Sequence, residues 1–97
     1  MKFTVTTKES VLGLGRILGY RLLGNKNDEY NFVRGIEGND YPRYHAYVKD
    51  AAGYLMFNIH LDQKRPVYAG HTAHSGEYDG ELIEREAERI KGLLGGA

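Results

Sequence analysis

The sequence predicts an α+β fold in the order αβββα: a three-stranded antiparallel sheet with two helices packed on one face, and an extra N-terminal strand as an option. Apolar residues recur at helical spacing near both ends of the chain, and they alternate with polar residues through its middle. Short turn sequences rich in Gly, Asn and Asp separate the alternating segments. The 97 residues suffice for one hydrophobic core, so we expect a single αβββα domain over residues 1–97.

The first part of the chain predicts a short strand or ordered arm and then a helix. Residues 2–6, KFTVT, alternate between polar and apolar side chains. Thr6 and Glu9 have the spacing of a capping box, which favours a helix over about residues 7–19. Four residues share its apolar face: Val11, Leu14, Leu18 and Leu22. The helix also holds three glycines, each costing about 1 kcal/mol relative to alanine, so we expect another part of the chain to approach its backbone closely.

The middle of the chain predicts three strands. Residues 29–36, EYNFVRGI, form the first strand after the turn-rich run GNKND. Residues 43–49 and 54–61 both alternate and form a hairpin. The intervening DAAG has Asp first and Gly last, as a type I turn prefers.

The register of this hairpin decides which side chains meet. If Lys49 pairs with Tyr54, one face of the hairpin is uniformly apolar and becomes the core side. The opposite face carries polar side chains, and His45 and His60 become diagonal neighbours there. The polar face is therefore the place to look for chemistry.

The last part of the chain predicts a second helix. It begins near residues 79–81 with acidic side chains and has Arg89 and Lys91 toward its end, as the helix dipole favours. Its apolar stripe comprises Leu82, Ile83, Ala87, Ile90, Leu93 and Leu94. Glu86 projects into that stripe, either as a carboxylate that reaches water at the edge or as a buried partner of an Arg or His.

Composition limits the classes of function. Thirteen Lys and Arg residues balance thirteen Asp and Glu residues, so nucleic-acid binding requires a local cationic patch. The absence of cysteine excludes disulfides and thiolate chemistry and leaves histidines and carboxylates as metal ligands. No apolar run suits a signal peptide or a membrane span. We therefore expect a cytoplasmic protein with no membrane association.

Several short motifs resemble those of the HicA-type mRNA interferases, toxins whose fold is that of the double-stranded RNA-binding domain. Gly19 and Tyr20 match the Gly-aromatic pair after the first helix. His45 stands at the start of the second strand, where that family has its catalytic histidine. His60, followed by Lys64, matches the second histidine and lysine at the end of the third strand.

This resemblance covers about residues 10–94 and implies RNA as the substrate and a cognate antitoxin-like protein as a partner. Cleavage without a metal needs a base, an acid and a cation. We assign the role of base to His45 and the role of acid to His60. The cation is Arg43 or Lys64. The expected site residues are the catalytic pair His45 and His60 and the substrate-binding residues Arg43, Tyr47, Asn58 and Lys64. This interpretation requires no cofactor.

A metal site in the segment 60–79 is one alternative. His71 and His74 are three residues apart, and Glu77 follows closely. His60, Asp62 and Asp79 offer further nitrogen and oxygen ligands. This interpretation predicts a bound divalent transition metal such as zinc.

A binding module without enzymatic activity is the other alternative. The chain has eight tyrosines, and tyrosine provides a large contact area with a polar tip. The tyrosines near the predicted sheet are Tyr30, Tyr47, Tyr54, Tyr68 and Tyr78. Such a surface suits a protein or peptide partner, and the oligomeric state stays open.

Overall fold

Five antiparallel strands form one sheet in the computed structural model, which describes residues 1–36, 41–63 and 80–95. The strands are β1 (Lys2–Val5), β2 (Arg21–Lys26), β3 (Glu29–Gly35), β4 (Arg43–Ala51) and β5 (Tyr54–Asp62). A short 3₁₀ helix (Val11–Gly13) leads directly into α1 (Leu14–Leu18), and α2 spans Glu81–Leu93. The spatial order is β1-β5-β4-β3-β2, so β2 to β5 form a meander and β1 adds to the free edge of β5.

The predicted three-stranded αβββα fold class is wrong because the sheet has two more strands. Strand β2 includes the first three residues of the predicted turn-rich run and the three residues before it, and it forms a hairpin with β3. Its two-residue loop is Asn27 and Asp28, with φ values of 54° and 65°. These positive angles suit a type I′ hairpin turn, which Asn and Asp tolerate better than most residues. The optional N-terminal strand is β1, an edge strand paired with β5.

The first helical segment is shorter than predicted. Ser10, rather than the Thr6 and Glu9 box, caps it by accepting a hydrogen bond from the Gly13 amide at 3.3 Å. The segment ends at Gly19, whose φ of 81° breaks the helix. The chain turns so tightly here that a Cβ on Gly15 would lie 2.7 Å from the carbonyl oxygen of Tyr20. The expected close backbone approach is therefore present, and its source is the chain's own next turn.

The hairpin between β4 and β5 differs from the predicted register by two residues. Lys49 pairs with Met56 rather than with Tyr54. The turn is centred one residue later than expected, and Gly53 has the positive φ of 87° that the third position of a type II turn requires. A register shift of two residues leaves each side chain on its predicted face of the sheet, because side chains along a strand alternate between the faces with a period of two. His45 and His60 thereby become direct partners instead of diagonal neighbours.

The hydrophobic core lies between one face of the sheet and the helices. The largest fully buried side chains come from α1, β4, β5 and α2: Leu14, Val48, Leu55, Ile59, Ile83 and Ile90. Both helices therefore cover the same face of the sheet. None of the helices in the described ranges is long and apolar enough to cross a membrane.

Among the residues that the structure describes, Glu86 is the charged residue buried with this core. It is 3% exposed and accepts a hydrogen bond from the Tyr20 hydroxyl at 2.6 Å. Arg34 of β3 and Arg89 of α2 donate to its carboxylate at 3.2 and 2.9 Å. Burial and the neighbouring carboxylate raise the pKa of Tyr20 far above its usual value. Of the two alternatives for Glu86, the buried partner of an arginine is confirmed, and it links α2 to β3.

Candidate functional site

We call the sheet surface opposite the helices the polar face. The strand register assigns the following residues to it: Lys2, Thr4, Arg21, Lys26, Glu29, Asn31, Val33, Arg43, His45, Tyr47, Lys49, Tyr54, Met56, Asn58, His60 and Asp62. Antiparallel partners point to the same side of a sheet, so these side chains form one surface. This face contains every predicted catalytic or substrate-binding residue that the structure describes.

The predicted RNA-cleavage residues are brought together in part. His45 and His60 are direct partners, and Arg43 lies one position along the same face, opposite Asp62. Tyr47 and Asn58 form the next pair in the other direction. Four predicted site residues lie outside the described residues: Lys64 and the metal ligands His71, His74 and Glu77.

Asp62 is the centre of the cluster. Its Oδ2 atom lies 3.0 Å from Nδ1 of His45 and accepts a hydrogen bond from Nε of Arg43 at 3.1 Å. Its Oδ1 atom lies 3.1 Å from Nε2 of His60. The side chains of the four residues are between 13% and 21% exposed, so solvent screens these contacts less than it would at an open surface. One carboxylate therefore orients both imidazoles and the guanidinium.

Asn31 extends the cluster onto β3. Its Oδ1 atom lies 3.0 Å from Nε2 of His45, so both ring nitrogens of His45 have oxygen partners. Asn31 has no predicted role from the sequence, and Asp62 is predicted only as a candidate metal ligand. The position of Asp62 two residues after His60 placed both on one face, but only the pairing of β3 with β4 brings in Asn31.

Tyr47 packs on the two imidazoles. Its ring centroid lies 4.4 Å from that of His45 and 5.5 Å from that of His60, and both pairs are stacked. The two imidazole centroids are 4.9 Å apart. The three rings support one another, which restricts the orientations that the histidines can adopt.

Burial and charge act in opposite directions on His60. Loss of hydration is the largest effect and lowers the pKa of His60 below its usual value. The carboxylate of Asp62 opposes this change, whereas the nearby His45 adds to it. The pKa of His60 is lower on balance, so its neutral form is favoured near neutral pH.

The polar face carries an excess of positive charge. Among the described strand residues it has five cationic side chains, Lys2, Arg21, Lys26, Arg43 and Lys49, and two carboxylates, Glu29 and Asp62. With the histidines counted as neutral, the net formal charge of these residues is +3. The formal net charge of the whole chain is zero. The described residues of the polar face therefore carry a different net charge from the chain as a whole.

A shallow depression of about 330 Å³ adjoins the histidine cluster. Lys2 and Lys49 line it together with Tyr47 and Asn58. Tyr47 is thus shared between the depression and the stacked imidazoles. A ligand in the depression would lie beside the histidines.

The tyrosines do not form one binding surface. Tyr47 and Tyr54 lie on the polar face, whereas Tyr30 packs against the hydrophobic core on the other side of the sheet. Tyr68 and Tyr78 lie outside the described residues. The predicted tyrosine-rich surface therefore has two members on the described part of the polar face.

Comparisons with protein-family models, with curated proteins and with solved structures find no match to this chain. The resemblance to HicA-type interferases therefore stays a prediction. What can be inferred about function comes from the geometry and charge of the polar face.

Proposed function

We propose that the protein binds single-stranded RNA on its polar face. The observation that carries this proposal is the separation of charge: the formal net charge of the chain is zero, whereas the described strand residues of this face have an excess of three positive charges. Phosphate contacts by Lys and Arg supply most of the affinity of sequence-tolerant RNA binding. The opposite side of the molecule has α2, whose solvent-exposed residues include Glu81, Glu84 and Glu88.

The side chains between the cations favour a single strand over a duplex. Proteins that bind single strands combine a cationic surface with aromatic side chains on which bases stack. Tyr54 is 40% exposed on the polar face and Tyr47 borders the depression there. Asn58, also at the depression, has the donor and acceptor that a base edge requires. On β4, Tyr47 lies one position from Lys49 on this face, and Asn58 of β5 is the direct partner of Tyr47.

A binding assay with matched variants tests the proposal. The double variant Lys2→Gln, Lys49→Gln removes two cations at the depression, and the control Arg85→Gln, Lys91→Gln removes two from α2. We expect the first to weaken binding of a labelled single-stranded RNA about tenfold or more and to reduce the salt slope by about 0.7 per lost phosphate contact. The control should keep the affinity and the slope of the unmodified protein. Equal losses in both variants would contradict binding at the polar face.

Cleavage of the bound RNA is the second candidate function, and the direct pairing of His45 with His60 favours it. In such cleavage one histidine accepts the proton of the 2′-hydroxyl as that oxygen attacks the adjacent phosphorus. The other protonates the 5′-oxygen as its bond to phosphorus breaks, which leaves a 2′,3′-cyclic phosphate. Arg43 lies beside the pair as a cation for the charge that develops on the phosphate. Detection of the cyclic phosphate product in a metal-free reaction tests this candidate.

A further inference from the structure

Three side chains with metal-binding groups converge on the polar face. His45, His60 and Asp62 each place one ligand atom so that all three atoms lie within 4.8 Å of one another. Within ranges 1–36, 41–63 and 80–95 this is the one group of at least three such residues. The site belongs to neighbouring strands in the interior of the sheet, so the backbone ladder fixes its spacing.

The spacing suits a single ion after small side-chain rotations. Zinc binds imidazole nitrogen and carboxylate oxygen at about 2.1 Å, which places two tetrahedral ligand atoms about 3.4 Å apart. The two imidazole nitrogens lie 3.0 and 3.1 Å from the oxygens of Asp62. Binding of an ion among these atoms requires the imidazole nitrogens that face Asp62 to carry no proton.

Asn31 supplies the outer contact that a metal-binding histidine requires. Such a histidine usually donates its second ring N–H to an oxygen atom, which fixes the tautomer and the orientation of the ring. Nε2 of His45 faces Oδ1 of Asn31 at 3.0 Å. A proton on Nε2 leaves the lone pair of Nδ1 directed toward Asp62. This contact is a separate observation from the convergence of the three ligand atoms, and it also favours metal binding.

Arg43 plays the corresponding part for the carboxylate. It donates to Oδ2 of Asp62, which leaves Oδ1 beside His60 for an ion. The guanidinium also places a positive charge near the site, and this repulsion limits the affinity for a cation. Arg43 therefore orients the ligand at some cost to binding strength.

We infer that His45, His60 and Asp62 bind one divalent transition metal ion, for which zinc is the best match to two imidazoles and a carboxylate. Three protein ligands leave a fourth position for water or for a bound molecule. This site differs from the predicted one at His71, His74 and Glu77. It does not depend on RNA binding, although a coordinated histidine nitrogen is no longer available for acid–base catalysis.

Calorimetric titration of the chelator-treated full chain with zinc tests the inference. We expect one ion per chain and a higher melting temperature in the presence of zinc, since the ion binds only the folded site. His45→Gln, His60→Gln and Asp62→Asn should each weaken binding tenfold or more, and the double variant His71→Ala, His74→Ala should still bind through the three proposed ligands. The cobalt(II) form provides a second readout, because a tetrahedral site gives it strong visible absorption.

A melt of each metal-free variant separates loss of ligation from loss of folding. Asn31→Ala should also weaken zinc binding about tenfold or more while leaving all three ligands present. Undiminished zinc binding by folded His45→Gln and His60→Gln variants would overturn the inference, and so would the absence of binding by the unmodified protein. Neither result depends on the RNA assay, so failure of the metal site and failure of RNA binding are distinguishable.

Discussion

His45 and His60 face each other directly across β4 and β5, with their ring centroids 4.9 Å apart and Asp62 in contact with both. Both strands are interior to the sheet, flanked by β3 on one side and β1 on the other. The pair is therefore positioned by backbone hydrogen bonds on both sides of each strand. Such positioning suits a functional site, because little reorganisation is needed when a ligand arrives.

The lowered pKa of His60 predicts that the metal-free protein loses stability as the pH falls. A folded-state pKa below the unfolded value of about 6.5 means that the unfolded chain binds more protons in this range. Between pH 8 and about pH 7, protonation of His60 does not change the free energy of unfolding. It lowers this free energy as the pH falls below about 6.5. Urea unfolding of the unmodified protein and of His60→Gln between about pH 5.5 and 8 measures it. The same pH dependence in both proteins would contradict the prediction.

Glu86→Gln should destabilise the protein. The substitution leaves the Tyr20 hydroxyl and two arginines without their shared carboxylate, and the expected loss is about 1–3 kcal/mol. Glu88→Gln is the matched control, because that side chain is 78% exposed on the same helix and should change stability by less than about 0.5 kcal/mol. Chemical denaturation of the two variants makes the comparison. Equal stabilities would mean that the buried carboxylate contributes nothing beyond an exposed one.

Gly15→Ala and Gly92→Ala should have opposite effects. The new Cβ at position 15 would lie 2.7 Å from the Tyr20 carbonyl oxygen, a backbone atom that cannot move aside cheaply. We expect a loss of about 1–3 kcal/mol there. Gly92 lies in α2 with no atom within 4 Å of the added Cβ, so alanine should gain up to about 1 kcal/mol from helix propensity. A melting temperature of Gly15→Ala that equals or exceeds that of the unmodified protein would refute the tight turn after α1.

His45→Ala should abolish any metal-free RNA cleavage and lower stability by about 1 kcal/mol per lost hydrogen bond. This loss of stability is small because His45 is half-buried and its side chain has two polar contacts, with Asp62 and with Asn31. Asn31→Ala is the control, because it removes one of those contacts and keeps both histidines. Cleavage assays paired with melts compare the two variants. If the His45→Ala variant still cleaves RNA, His45 is not a catalytic residue.

Alternation of side chains was sufficient to predict which residues share the polar face. The assignment of His45, His60, Arg43, Tyr47 and Asn58 to one surface is correct because a period of two survives an even error in register. The register itself was wrong because Ala and Gly in the turn admit more than one loop position. Only the positive φ of Gly53 distinguishes the turn that forms.

The missing elements have local causes. Strand β2 was not predicted because it contains Gly24 and a register irregularity between Leu22 and Gly24, which interrupt its alternation. Its six residues are all exposed, so no apolar pattern identifies it. The contact between Asn31 and His45 depends on the pairing of β3 with β4, which a single sequence does not specify.

An NMR titration of the labelled protein with a short single-stranded RNA tests the central claim most directly. The account predicts shifts of backbone signals in β4 and β5 and of the Asn58 side-chain amide, with α2 unchanged. Shifts confined to α2, or no shifts at low salt, would contradict RNA binding at the polar face.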